Sequence, residues 1–195
     1  MHKRFLRDED ETSVMRRTPR GGTLMVYQVK KDVCELYVPS GPDDFIKSMN
    51  VAGTDWAKRY RYPLSAMIAC ACVESGFGTS GIYKQTCCPF NLQKPSSWLY
   101  PQCTVRLIKT VNKPGEEARF TTFRVADDLY DSARLWCEWI SHWPSGSARS
   151  TLESYRNDAR RFAASLYIVG FANNSKAATQ KFADLIDTKG LTRFD

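Results

Sequence analysis

Histidine is almost missing from this sequence, with His2 and His142 the whole supply among 195 residues. Seven cysteines are present, five of them at Cys70, Cys72, Cys87, Cys88 and Cys103. With so little histidine and two adjacent thiols, their spacing matches no zinc pattern, so no metal site is expected. No run approaches the ~20 apolar residues of a membrane span, and no N-terminal apolar stretch resembles a signal peptide. These absences predict a chain made in the cytoplasm without a signal peptide and without integral membrane association. Neither an RNP-like motif nor paired zinc ligands occur. The basic residues are scattered, apart from "KRYR" at 58–61 and "ARR" at 159–161, which speaks against sequence-reading nucleic-acid binding. Internal repeats and low-complexity segments are also lacking.

What is present suffices for a folded domain. Hydrophobic residues make up 43% and aromatics 12%, well above the values of disordered chains. The length suits one core. The formal net charge of +7 favours polyanionic surroundings: nucleic acid, anionic lipid or an acidic cell-wall polymer. The cysteines have two readings, disulfides in an oxidising compartment with at least one thiol left over, or buried free thiols.

Along the chain, residues 1–24 mix six Lys and Arg with the acidic block "DEDE" and end in "PRGG", the composition of a flexible tail. Residues 25–195 are expected to form a single domain. The segment 25–38 fits a strand or a short helix equally well. Phe45, Met49, Val51 and Trp56 then recur at helical spacing behind a candidate cap, Asp43. "YPLSAMIACA" (62–71) reads as a buried helix opened by Pro63 and running to about residue 75. An irregular span to about 101 follows, rich in proline. "CTVRLIKTV" and "ARFTTFRV" flank the turn-forming "NKPGEE" and predict a hairpin. Leu129, Ala133, Trp136 and Ile140 share one helical face, and two more helices are expected over about 151–168 and 175–188. The layout is α+β: a mainly helical body with a small hairpin lobe, the hairpin forming one wall of a substrate cleft and Glu74 lying on the other.

The stretch "CVESGFGTSG" (72–81) places one acidic residue, Glu74, at the end of an oily helix and before three glycines. Glycine ends helices and lets backbone pass close to a ligand. An apolar wall penalises the charged carboxylate, so the arrangement suits a carboxyl that must stay protonated near neutral pH. A helix-terminal surface glutamate is the plain alternative.

"CVESGFGTSG" resembles the "ESGWG" signature of family 73 glycoside hydrolases, the flagellar and autolysin-type β-N-acetylglucosaminidases of the lysozyme-like superfamily. "CPFNLQ" (88–93) is similar to the family's "NLFGIK" segment and "FRVADDLYDSA" (123–133) to its "FRVYDSLEDS" block. "GFANNSKAATQKFADLIDTKGLTRFD" (170–195) resembles its "GYATDPxYAxKLxxIIxxYGLxxYD" ending. The resemblance spans about residues 45–195, in four blocks in the family's order. It implies a lysozyme-like fold, with Glu74 as catalytic acid. Phe77, in the family's tryptophan position, would wall the site. Phe90 and Asn91 would lie on the cleft floor, Asn91 bonding a sugar N-acetyl group or merely closing a turn.

Departures from the family pattern accompany the matches. Phe171 stands where the family has a tyrosine, and Asn174 replaces an aspartate; both are candidate substrate-binding positions. The stretch "LIKTVNKPG" lacks the carboxylate that the family's hairpin commonly supplies. Glu116 and Glu117, a few residues later, are candidates for the second catalytic carboxylate or are solvated turn residues. The resemblance implies cleavage of the β-1,4 bond after N-acetylglucosamine in the peptidoglycan glycan strand, without cofactor or metal. Alternatives are a muramidase or lytic transglycosylase, a phage or flagellar wall hydrolase, and a non-catalytic glycan-binding protein. The missing signal and small size further resemble glycosidase effectors delivered to a rival's periplasm by type VI secretion, which implies antibacterial toxicity and a cognate immunity protein blocking the cleft.

Overall fold

A computed structural model describes residues 16–17, 23–24, 35–93, 105–110, 119–142 and 146–195. The chain divides into two compact units, Met1–Asp32 and Val33–Asp195. In the first, two short strands, β1 (Arg16–Arg17) and β2 (Thr23–Leu24), pair antiparallel. Most of the segment 25–38, for which strand and helix were equally open, lies outside the described residues; its last four residues are neither helix nor strand.

The second unit opens with α1 (Pro42–Tyr60). Pro42 takes a first-turn position, where a missing N–H costs nothing, and Asp43 and Asp44 lie in that turn, where the helix dipole favours negative charge. Gly41, not the expected Asp43, is the N-cap residue. The carboxylate that ties down the entry is that of Asp44, which accepts from the Tyr37 hydroxyl at 2.7 Å and the Ser40 N–H at 2.8 Å. Central helix α2 (Leu64–Ser75) starts one residue after Pro63. Leu64 to Cys72 are all buried, as befits a helix that is apolar all round. It packs against α1 and against two later helices, α6 (Ala159–Ala164) and α7 (Lys176–Thr188). Gly53 permits the close α1–α2 approach: a Cβ there would lie 2.7 Å from Met67 Sδ.

Within the span expected to be irregular, a short helix α3 (Gly81–Thr86) forms, its first turn capped by Ser80, whose hydroxyl accepts from the Tyr83 N–H. Six residues are too few to show a periodicity, and the Ser80 cap is the local signal. The hairpin is as expected: β3 (Val105–Thr110) pairs antiparallel with β4 (Arg119–Arg124), with Val105 opposite Arg124 and Thr110 opposite Arg119. Its turn, residues 111–118, lies outside the described residues. Two backbone bonds tie the base of the hairpin to the body: the Arg124 N–H to the Leu92 carbonyl, which forms part of a bridge between Gln93 and Phe123, and the Ala126 N–H to the Thr86 carbonyl.

Helix α4 (Leu129–Ser141) is capped by Asp128 and buries Leu129, Ala133, Trp136 and Ile140, the face read from the sequence. The single helix expected over 151–168 is instead broken into α5 (Gly146–Glu153), α6 and a 3-10 turn, Leu166–Val169. Asp158 accepts from the Arg161 N–H and restarts the chain as α6, so a cap overrides the continuous apolar pattern. A second 3-10 turn, Phe171–Asn174, precedes α7, which Ser175 caps, and a third, Leu191–Phe194, follows it. Trp136 is wholly buried among the rings of Tyr62, Phe90, Phe162 and Phe171.

Candidate active site

Glu74 is the penultimate residue of α2, and the chain beyond it is tightly tied. Gly76 is left-handed, with φ +58°, and its N–H bonds the Cys72 carbonyl, as does the N–H of Phe77. Buried Ser75 donates its hydroxyl hydrogen to the Ala71 carbonyl at 2.6 Å and accepts from the Gly78 N–H at 2.8 Å. Gly78, at φ +79°, has no alternative: a Cβ there would lie 2.9 Å from two carbons of the Phe45 ring.

The carboxyl of Glu74 meets Asn91. The Asn91 side-chain amide nitrogen lies 2.7 Å from the Glu74 backbone oxygen and 3.0 Å from Glu74 Oε2. Burial pushes the Glu74 pKa above the ordinary carboxyl value, and the hydrogen bond from Asn91 opposes that rise in part. Cys70, one turn back on α2, senses the charge of Glu74. Among the described residues no second carboxylate acts on Glu74. The arrangement is a partly buried carboxyl, held by one amide, that retains its proton to higher pH than a free glutamate.

The structure brings only some of the expected site residues together. Asn91 is beside Glu74, though its amide is spent on Glu74 itself. Phe77 follows Glu74 by three residues, left-handed at φ +55° and packed on the edge of the core. Phe90, expected on the cleft floor, is instead a core residue, 1% exposed and packed on Trp136 with ring centres 5.9 Å apart. Phe171 is likewise a core residue, 4% exposed and against Trp136 and Trp139, an apolar setting where a phenol would need a partner. Asn174 is exposed, the last of three successive left-handed residues after Ala172 and Asn173, and no contact ties it to Glu74. Glu116 and Glu117 lie outside the described residues. Unforeseen in the sequence were the clamp of Asn91 on Glu74 and the Ser75 hydroxyl that locks the turn. Among the described residues, no group of three or more His, Cys, Asp or Glu could hold a metal ion.

Of the cysteines, Cys87 is disulfide-bonded, while Cys70, Cys72, Cys88 and Cys137 are buried and free. Both readings of the cysteines therefore apply, to different residues. Among the described residues no helix is long and apolar enough to cross a membrane.

No protein-family model matches the chain, and no curated protein matches it by sequence. Solved structures do. The catalytic domain of the autolysin Auto from Listeria monocytogenes is 18% identical with a TM-score of 0.58, the match covering 82% of this chain and 90% of that one. A peptidoglycan hydrolase from Sphingomonas sp. A1 is 21% identical, TM-score 0.60, covering 79% and 92%. The glycoside hydrolase domain of FlgJ from Salmonella typhimurium, in a C-terminally truncated form, is 19% identical, TM-score 0.51, covering 76% and 99%. At these identities the likeness is one of fold: an α+β, mainly helical, lysozyme-like architecture.

Proposed function

We propose that this chain is a peptidoglycan hydrolase that cleaves the β-1,4 glycosidic bond after N-acetylglucosamine, with Glu74 as general acid. The observation that carries the reading is the partly buried, amide-held carboxyl of Glu74 at the end of α2. The fold shared with a glycoside hydrolase domain and a peptidoglycan hydrolase supports it. A glycosidic bond breaks when its leaving oxygen is protonated as an oxocarbenium-like centre develops. A carboxyl with a raised pKa still holds that proton near neutral pH. The anomeric carbon is then attacked in one of two ways. A base-activated water requires a second carboxylate about 6.5–9.5 Å from Glu74, the role open to Glu116 or Glu117. Alternatively the substrate's N-acetyl carbonyl attacks, which requires none. The net charge of +7 suits an anionic wall polymer.

Digestion of purified peptidoglycan by the wild type and by Glu74→Gln tests the reading, with mass spectrometry of borohydride-reduced fragments. Reduced N-acetylglucosamine ends from the wild type, falling about 10²–10⁴-fold in the variant, are expected. Reduced muramic ends would make the chain a muramidase, and anhydro ends a lytic transglycosylase. Silence from both proteins with glycan still bound would make it a binding protein.

The proposed place of action is the periplasm of target bacteria, as an antibacterial effector held in check by an immunity protein that covers the Glu74 site. The support is the family resemblance alone. Expression in a Gram-negative host with and without an added periplasmic signal tests this: lysis only with the signal is expected, and harmless accumulation in the periplasm would overturn it.

A further inference from the structure

We infer that Asn91 is a positioning residue for Glu74, one that dedicates Oε2 to a permanent hydrogen bond and leaves Oε1 to carry the acid proton toward the scissile oxygen. The inference rests on the glycosidase reading above only in what that proton is used for.

The geometry follows from what each atom can donate. The Glu74 backbone oxygen is an acceptor in every protonation state. It lies 2.7 Å from the Asn91 amide, so the amide nitrogen must face it, whatever the charge on Glu74. The same nitrogen is 3.0 Å from Oε2. An amide has two hydrogens, and each here has its own acceptor on one residue. Oε2 is therefore always receiving an N–H, and a proton on the carboxyl belongs on Oε1. The carbonyl end of the amide bears the cost of this orientation: among the described residues Asn91 Oδ1 is buried with no hydrogen-bond partner, an unfavourable state for an acceptor that the two donations to Glu74 offset.

The frame around Asn91 is rigid enough for the task. Its backbone is left-handed at φ +49°, a conformation asparagine tolerates better than most residues. Phe90 before it is pinned under Trp136, and the Leu92 carbonyl after it accepts from the Arg124 N–H at 2.8 Å. The amide thus spans the end of α2 and the base of the hairpin. Among the described residues the titratable neighbours do not obscure its effect. Burial lifts Cys70, on α2, well above the ordinary thiol value, and lifts Cys88, on the segment bearing Asn91, to about 11. Both stay neutral where Glu74 titrates.

Two variants separate positioning from other roles. Asn91→Gly keeps the left-handed backbone and removes the amide; Asn91→Asp keeps the shape and replaces the donor by an acceptor. The measurements are kcat and KM on solubilised glycan strands across pH, and the Glu74 carboxyl titration by ¹³C NMR, which needs no turnover. For Asn91→Gly, kcat is expected to fall about 10- to 100-fold, the worth of a hydrogen bond to a charged group, with KM within about twofold. The alkaline limb of kcat/KM and the NMR midpoint should both move to higher pH, because the bond that favours ionised Glu74 is gone. Asn91→Asp should move both further up, since a like charge is added. A raised KM with unchanged kcat would overturn the inference in favour of a sugar contact. A lowered melting temperature with the titration unmoved would overturn it in favour of turn closure. If the wild type releases no sugar while Asn91→Gly still shifts the Glu74 titration, positioning stands and the glycosidase reading falls. If the wild type is active and the titration is unmoved, the reverse holds.

Discussion

Glu74 sets local stability against chemistry. Its pKa in the folded chain is raised by burial, so the stability it contributes is fully present below the pKa of an unfolded glutamate and is lost as pH rises through the folded value. Glu74→Gln stays neutral and keeps an acceptor for Asn91. The variant should therefore melt at a higher temperature than the wild type at pH 8, with the difference shrinking as pH falls through the carboxyl range; thermal melts from pH 4 to 8 check this. An equal difference at every pH would mean that the carboxyl is ionised without penalty. Gly78 is the second sensitive residue. Alanine there adds a left-handed backbone penalty to a clash with the Phe45 ring, and Gly78→Ala should cost about 2–4 kcal/mol in denaturant unfolding. At this scale Glu74 was legible, because an acid between an apolar run and glycines is a local pattern. Its tie to Asn91 was not, because that contact joins residues 17 apart through two separate left-handed bends.

Each helix is set by its ends as much as by its apolar face. Pro63 offers α2 no side-chain cap, and the carboxylate of Asp195 supplies one from the far side of the sequence. It accepts from the Ser65 N–H at 2.8 Å and the Ser65 hydroxyl at 2.6 Å. Asp195→Ala removes both bonds from the helix that carries Glu74 and should cost about 0.5–2 kcal/mol, the range of a lost N-cap, in urea unfolding; an unchanged midpoint would show the cap to be idle. The hairpin and the α4 face were readable from alternation and period, which are local. The break between α5 and α6 was not, because the apolar pattern of 151–168 continues through a turn that Asp158 closes.

Across the second unit, the packing around α2, α4 and the segment after α3 decides the chemistry of the free thiols. Cys70, Cys72, Cys88 and Cys137 are buried, and burial, opposed in part by the charge of Lys189, raises Cys72 to about 12. Thiolate is the reactive form, so these four should resist iodoacetamide in the folded protein and be labelled after urea, as peptide mapping would show; rapid native labelling of any of them would contradict the packing. The amino-acid sequence by itself determined the helical body, the hairpin, the acid at the end of the apolar helix and the exclusion of a zinc pattern, because each follows from spacing between near neighbours. Only the tertiary structure decided that Phe90 and Phe171 belong to the core, that Asn91 serves Glu74, and that Asp195 caps α2. These depend on which distant segments share the space around Trp136 and α2, and that is settled by packing between elements rather than by any pattern within one.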